Sequence, residues 1–168
     1  MMNKALRSAW RDFQYVISQI DNQHNQISIF QCIQSWYFDK RKLFSSSLIE
    51  EYQLEELINI DTKDYPLEKS ECNPENIKRF LNIQLYSEEC MIVWLRGILW
   101  ELVVLSVDIE CEKCGKLEIS ALFNLENKTV FLECNQCGWI KTIYECSSES
   151  IKTIRFATNQ DLKAAGLI

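Results

Sequence analysis

Leu6, Trp10, Phe13, Ile17 and Ile20 recur at spacings of 4, 3, 4 and 3, which sets them on one stripe of a helix from about Asn3 to Ile20. A polar break, Asp21-Asn22-Gln23-His24-Asn25, follows, and Ile29, Cys32, Ile33, Trp36 and Tyr37 then resume helical spacing, so a helical hairpin is expected. Ser47 with Glu50 forms a capping-box pattern that predicts a third helix running to about Ile58. Asn73-Pro74-Glu75 reads as an N-cap with proline in the first helical position, opening a fourth helix that carries Ile77, Phe80, Leu81 and Gln84. Ser87-Glu88-Glu89 repeats the start signal. The apolar segment from Glu88 to about Leu102 suits a buried helix or a buried strand, with length favouring the helix.

From Val103 the period changes to two. Val107, Ile109 and Cys111 alternate with Asp108 and Glu110. Leu117 to Phe123 is expected to pair with Thr129 to Glu133 across a turn at Glu126-Asn127-Lys128. Trp139 to Tyr144 and Ile151 to Phe156 supply further strands, and Thr158 with Asp161 marks a capping box before a short last helix. The fold class read from this order is α+β: a helical region over 1–102, a β-module over 103–146, and a C-terminal strand and helix over 147–168 packing on the body.

The strongest chemical signal lies inside the β-module. Cys111-Glu-Lys-Cys114-Gly115 and Cys134-Asn-Gln-Cys137-Gly138 are two Cys-x-x-Cys-Gly hooks separated by 19 residues. Together they offer four thiolates to one tetrahedral metal ion. The glycine after each hook can take the positive φ that lets backbone N–H groups approach the sulfurs. Two of the chain's four glycines sit there, and the residues between the hooks are spent on one hairpin.

Hook, hairpin, hook and strand, over about residues 108–145, resemble a zinc ribbon with rubredoxin-type knuckles. The resemblance implies that Cys111, Cys114, Cys134 and Cys137 bind one structural zinc ion. Four sulfur ligands close the coordination sphere and leave no position for a substrate water. Zinc ribbons serve transcription factors, polymerase subunits, RNA-modifying enzymes and many accessory modules, so the resemblance implies a fold without fixing a function. A dithiol-exchange role would place a hook between a strand and a helix, whereas both hooks here fall between strands. Cys32, Cys72, Cys90 and Cys146 lack paired spacing and read as reduced thiols.

Charge changes what the ribbon is expected to touch. Eighteen basic residues against 24 acidic ones give a net charge of −6, which does not favour general attraction to nucleic acid or anionic membrane. Residues 108–145 carry seven acids against four lysines, −3 before metal, and four thiolates with one zinc add −2. Trp139 and Phe131 offer rings for stacking, but aromatics at alternating strand positions belong more often to a core. Residues 50–75 hold nine acids, among them Glu50, Glu51, Glu55, Glu56, Asp61, Asp64, Glu68 and Glu71, against Lys63 and Lys69, a local charge of −7. A solvated loop accounts for such a run, and so does a face that steers a basic partner. Lys40-Arg41-Lys42 falls at a helix end, where cations also suit the helix dipole.

Hydrophobic residues make up 47% of the 168, ample for a core. The N-terminal residues show no apolar run of the secretory kind, so a cytoplasmic location is the expectation. The apolar stretch from Cys90 to Val107 contains Arg96 and Glu101, each costing about 2.5 to 3.5 kcal/mol at a bilayer centre, so a core element is the better reading and no membrane is expected. His24 is the sole histidine, which removes most acid–base and triad schemes. No phosphate loop or nucleophile motif argues for an enzyme. By size, charge and lack of catalytic groups the chain resembles, as a class, bacterial immunity proteins that neutralise a basic toxin domain, often a nuclease. The alternative is a nucleic-acid- or polymerase-associated regulator that uses its ribbon.

Overall fold

The computed structural model describes residues 3–70, 72, 74–78, 82–143 and 153–168. The layout is α+β: helices in the N-terminal part, an antiparallel sheet after them, then a strand and a helix. The chain divides into two compact units, one of residues 1–60 and 71–102, the other of residues 61–70 and 103–168.

The first unit is helical. Helix α1 spans Lys4–Ser18, and the Asn3 side chain accepts from the Leu6 N–H, satisfying one of the donors that a helix start leaves open. The expected stripe of Leu6, Trp10, Phe13, Ile17 and Ile20 is buried throughout. Helix α2, Gln26–Lys40, is capped in the same way by Asn25 and buries Ile29, Ile33, Trp36 and Tyr37 while Cys32 stays half-buried. The two stripes meet through aromatic rings: Phe13 stacks on Trp10 at 5.1 Å between centroids and tilts against Trp36 at 4.8 Å.

The expected third helix is two. Helix α3, Ser46–Glu51, follows Ser45 rather than Ser47 as its N-cap, and α4 spans Leu54–Ile58. Between them Gln53 adopts φ 51°. Tertiary partners cause the break. In a continuous helix the Tyr52 carbonyl would accept from the Glu56 N–H, but it accepts from Arg96 Nε at 3.0 Å, and the Glu56 N–H turns to the Gln53 carbonyl. Ser45, for its part, donates its N–H to the Glu88 carboxylate.

Helix α5 is short, Pro74–Lys78. Ile77 is buried, and Gln84 lies beyond the helix rather than on it; Asn73, Phe80 and Leu81 fall outside the described residues. The ambiguous apolar segment is a helix, α6, Glu88–Val103, whose start is capped by Ser87 Oγ accepting from the Cys90 N–H. Met91, Ile92, Leu95, Ile98, Leu99 and Leu102 face inward. Among the described residues no helix is long and apolar enough to cross a membrane.

The second unit is built on a five-stranded antiparallel sheet of β1 (Ser106–Val107), β2 (Ile119–Asn124), β3 (Thr129–Cys134), β4 (Ile140–Thr142) and β5 (Ile154–Phe156), with helix α7 over Asn159–Ala164. β2 and β3 form the expected hairpin, with Ala121 opposite Leu132 and Ile119 opposite Cys134. Asn124 Oδ1 accepts from the Glu126 N–H, and Lys128 takes φ 55° to close the turn. On the other side of β2, β1 pairs with Ile119 and Ser120, while β5 pairs with Leu122 to Asn124. The two short strands thus lie end to end along one edge.

The alternation read from Val103 starts later than expected. α6 runs to Val103, and β1 stops at Val107 because the Ile109 N–H folds back onto the Val107 carbonyl, an i to i+2 turn that takes the chain out of the sheet. One face of the sheet supplies Ile119, Ala121, Val130, Leu132 and Cys134 to a core completed by Leu105, Cys111, Ala157 and Leu162. The predicted capping box is present in both halves: Thr158 accepts from the Asp161 N–H while the Asp161 carboxylate accepts from the Thr158 N–H. Residues 61–70 are tied to this unit through Asn159, whose side chain donates to the Lys63 and Tyr65 carbonyls and whose N–H donates to Asp64.

Candidate metal centre

Each hook is a turn that its backbone closes twice. In the first, the Cys111 N–H donates to the Lys116 carbonyl and the Gly115 N–H to the Cys111 carbonyl, both at 2.8 Å. In the second, the Cys134 N–H donates to Trp139 at 2.8 Å and the Gly138 N–H to Cys134 at 2.9 Å. The two turns repeat one hydrogen-bond pattern with an offset of 23 residues. Gly115 and Gly138 sit at φ 70° and 65°, the left-handed region where a side chain is strained. That conformation folds the chain back over the sulfurs. N–H groups of Lys113 and Cys114 reach the Cys111 thiol, that of Lys116 reaches Cys114, and that of Trp139 reaches Cys137.

One hook lies between β1 and β2 and the other between β3 and β4, so the β2–β3 hairpin brings them together. The register sets Cys134 opposite Ile119, and further bonds lock the approach. Asn135 donates its N–H to the Glu118 carbonyl at 2.9 Å, Ser120 Oγ donates to Asn135 Oδ1 at 3.0 Å, and Lys141 reaches across to Glu112 at 2.7 Å. Glu112 belongs to the first hook and Lys141 to the strand after the second, so this surface ion pair spans the site.

The four sulfurs lie within 4.8 Å of one another. Cys111 Sγ is 3.6 Å from Cys137 Sγ, and Cys114 Sγ is 3.6 Å from Cys134 Sγ. A tetrahedron of sulfurs around zinc at about 2.3 Å has edges of about 3.8 Å, so the donor set fits such an ion in number, chemistry and size. Burial differs among the four: Cys111 and Cys134 are in the core, Cys137 is half-buried and Cys114 is exposed.

The electrostatics follow from sulfur crowding. Burial pushes the Cys111 thiol up, but the N–H groups of Cys114 and Lys113 and the neighbouring thiols outweigh it and hold the group down at about 7. At Cys114 the Lys116 N–H pulls the thiol down, yet local desolvation and the three other sulfurs carry it up to about 12. Four thiols this close resist holding four negative charges at once, and a bound cation removes that repulsion.

The acidic run has a different fate. Glu50, Glu51 and Glu56 are exposed in the first unit, and Asp61, Asp64 and Glu68 are exposed in the second. The structure therefore divides the segment at Ile60. Glu71 lies outside the described residues. Glu55 is half-buried and engaged: Arg41 donates to its Oε1, as does the Tyr37 hydroxyl at 3.3 Å. Glu50, Glu55 and Glu56 line a recess of about 350 Å³ with Arg41, Ser46, Ile49 and Gln53. Sequence reasoning placed these acids on one run but missed the recess, which Gln53, at the break between α3 and α4, helps to line.

The basic run is partly spent inside the fold, with Lys40 between Asp12 and Asp39 and Arg41 on Glu55. His24 Nδ1 lies 2.8 Å from Asp21 Oδ1 in the loop before α2. His24 and Cys32 border a common groove along α1 and α2, which their sequence spacing did not suggest. Cys146 falls outside the described residues. Comparison of the chain with protein-family models, with curated proteins and with solved structures finds no match.

Proposed function

We propose that this chain is a non-enzymatic binding protein of the cytoplasm, in which one structural zinc ion staples a ribbon-like β-module and an acidic surface takes a basic protein partner, in the manner of an immunity protein that neutralises a toxin domain. The observation that carries the reading is the carboxylate-lined recess between α3 and α4. Arg41 already seats a guanidinium against Glu55 there, leaving exposed Glu50 and Glu56 on the same walls for a cation of the partner. Carboxylates so placed raise the association rate of a basic partner and fix its orientation.

The zinc assignment is supported by the four-sulfur geometry and by its fit to a closed tetrahedron. Bound zinc would cross-link the two hooks, held by Cys111, Cys114, Cys134 and Cys137, with every coordination position filled by protein.

The test is purification of the tagged full chain from its source cell at low salt. A basic partner whose capture falls as salt rises, and falls about tenfold in a Glu50→Gln/Glu56→Gln variant, is the expected result. Absence of a partner, or binding indifferent to salt, removes the reading. Retardation of DNA or RNA in a low-salt gel shift would favour the nucleic-acid-associated regulator in its place.

A further inference from the structure

Helix α6 has two unlike faces. Its inward face carries the six buried apolar residues already named, whereas Val93, Gly97 and Trp100, at i, i+4 and i+7, run along the centre of the opposite face. Val93 is 45% exposed, Trp94 beside it is 37% exposed, and Trp100 is half-buried. Val93 thus exposes apolar surface on the side of the helix away from its packed face, with the partly exposed Trp94 beside it.

Gly97 sharpens the point. It lies in the middle of a 16-residue helix without positive φ, so its backbone conformation does not call for glycine. Among the described residues a methyl group there would meet nothing within 4 Å beyond its own helix, so no packing among them calls for glycine either. Glycine in a helix interior costs stability relative to alanine. Close approach of a second molecule's surface to the helix backbone is a use for a missing side chain at that position.

The surroundings select the partner. Glu89 and Glu101 are exposed on the edges of the same face. Arg96, beside it, is turned inward, its guanidinium over the Trp100 ring at 5.0 Å and its Nε on the Tyr52 carbonyl. That bond joins the face to the α3–α4 link and hence to the recess bearing Glu50 and Glu56. An aromatic and apolar centre with an acidic rim has the anatomy of a protein-binding hot spot.

We infer that the outer face of α6, centred on Val93, Gly97 and Trp100, is the apolar centre of the surface that receives the basic partner, and that Gly97 is where the partner approaches the helix backbone. The inference rests on the proposed function and locates its interface. The partner has a small apolar projection flanked by lysine or arginine side chains.

The decisive variant is Gly97→Leu, which adds bulk where the free chain has room. Its melting temperature should equal or exceed that of the unsubstituted chain, while its affinity for the basic protein purified on that chain, measured by titration calorimetry, falls by at least about 30-fold. Val93→Asp serves as a second variant and should weaken the complex likewise. A basic partner that both variants bind as tightly as the unsubstituted chain overturns this assignment and leaves the proposed function standing. Failure of the unsubstituted chain to bind any basic protein overturns both. Sedimentation of the unsubstituted chain as a dimer that Gly97→Leu dissociates would assign the face to a second copy and overturn the choice of partner.

Discussion

Cys111 Sγ lies 3.6 Å from Cys137 Sγ, its contact across the hairpin, as Cys114 Sγ does from Cys134 Sγ. A metal bound there would join two hooks that the hairpin alone already brings near. One zinc ion per chain is therefore expected by elemental analysis. Cys111→Ser and Cys137→Ser should lose it, and a chelator should lower the melting temperature of the second unit. Loss of a structural metal is expected to cost at least about 3 kcal/mol. Cys134→Ser should be worse than Cys114→Ser, since Cys134 is in the core and Cys114 is exposed, so the first also leaves a hydroxyl among apolar side chains. A protein that is isolated free of metal and melts identically with and without chelator would contradict this.

The hook glycines make a separable prediction. Gly138 has open space around a would-be Cβ but sits at φ 65°, so Gly138→Ala carries conformational strain alone, about 1 to 2 kcal/mol. Gly115 at φ 70° adds a contact of 3.2 Å with Glu110 Oε1, the far end of a flexible side chain that can swing away. The two alanine variants should therefore lose similar stability, which paired denaturant titrations would measure. A Gly115 variant much worse than the Gly138 variant would mean that Glu110 is held in place.

Those turns were legible because their chemistry is local: two cysteines, a glycine and a hairpin of the right length are contained in a few dozen residues. The α1 stripe and the Thr158 capping box were legible for the same reason. What sequence periodicity missed was decided at a distance. The helix over residues 47–58 breaks because Arg96, 44 residues away, takes the Tyr52 carbonyl, and no local pattern announces that donor. The acidic run reads as one feature along the chain, yet its halves belong to different units, and Asn159 at the start of α7 ties residues 63–65 to the second. A strand over Ile151–Phe156 was expected; β5 spans Ile154–Phe156, with Ile151 outside the described residues, but its pairing with β2 beyond the end of β1 depends on how short β1 is.

Phe13 sits between Trp10 and Trp36, with centroids 5.1 and 4.8 Å away, and is 1% exposed. Phe13→Ala should cost about 3 to 5 kcal/mol, because two rigid rings on either side cannot collapse into the space. Phe13→Leu should recover most of that. The check is the urea midpoint of each variant at constant slope; an alanine variant within about 1 kcal/mol of the unsubstituted protein would show that α1 and α2 reseat freely.

Asp161 gives the second unit a dependence on pH whose sign can be worked out. Burial pushes its carboxyl up, but the Arg155 guanidinium, with its two terminal nitrogens on the two oxygens at 2.6 and 3.0 Å, and the Thr158 hydroxyl and N–H outweigh burial. The net effect holds the group below the ordinary carboxylate range. A carboxyl depressed in the folded state contributes its full stability above the unfolded value of about 3.9 and loses it as pH falls through the lower folded value. Asp161→Asn removes the charge and half of the capping box, at a cost of about 1 to 3 kcal/mol near neutral pH. The stability difference between the unsubstituted chain and the variant should stay constant from pH 7 to about 5 and shrink below about 4. Melting curves of both proteins across this range decide the matter: a difference that persists unchanged at pH 3 would mean that the Asp161 carboxylate holds the C-terminal helix by shape rather than by charge.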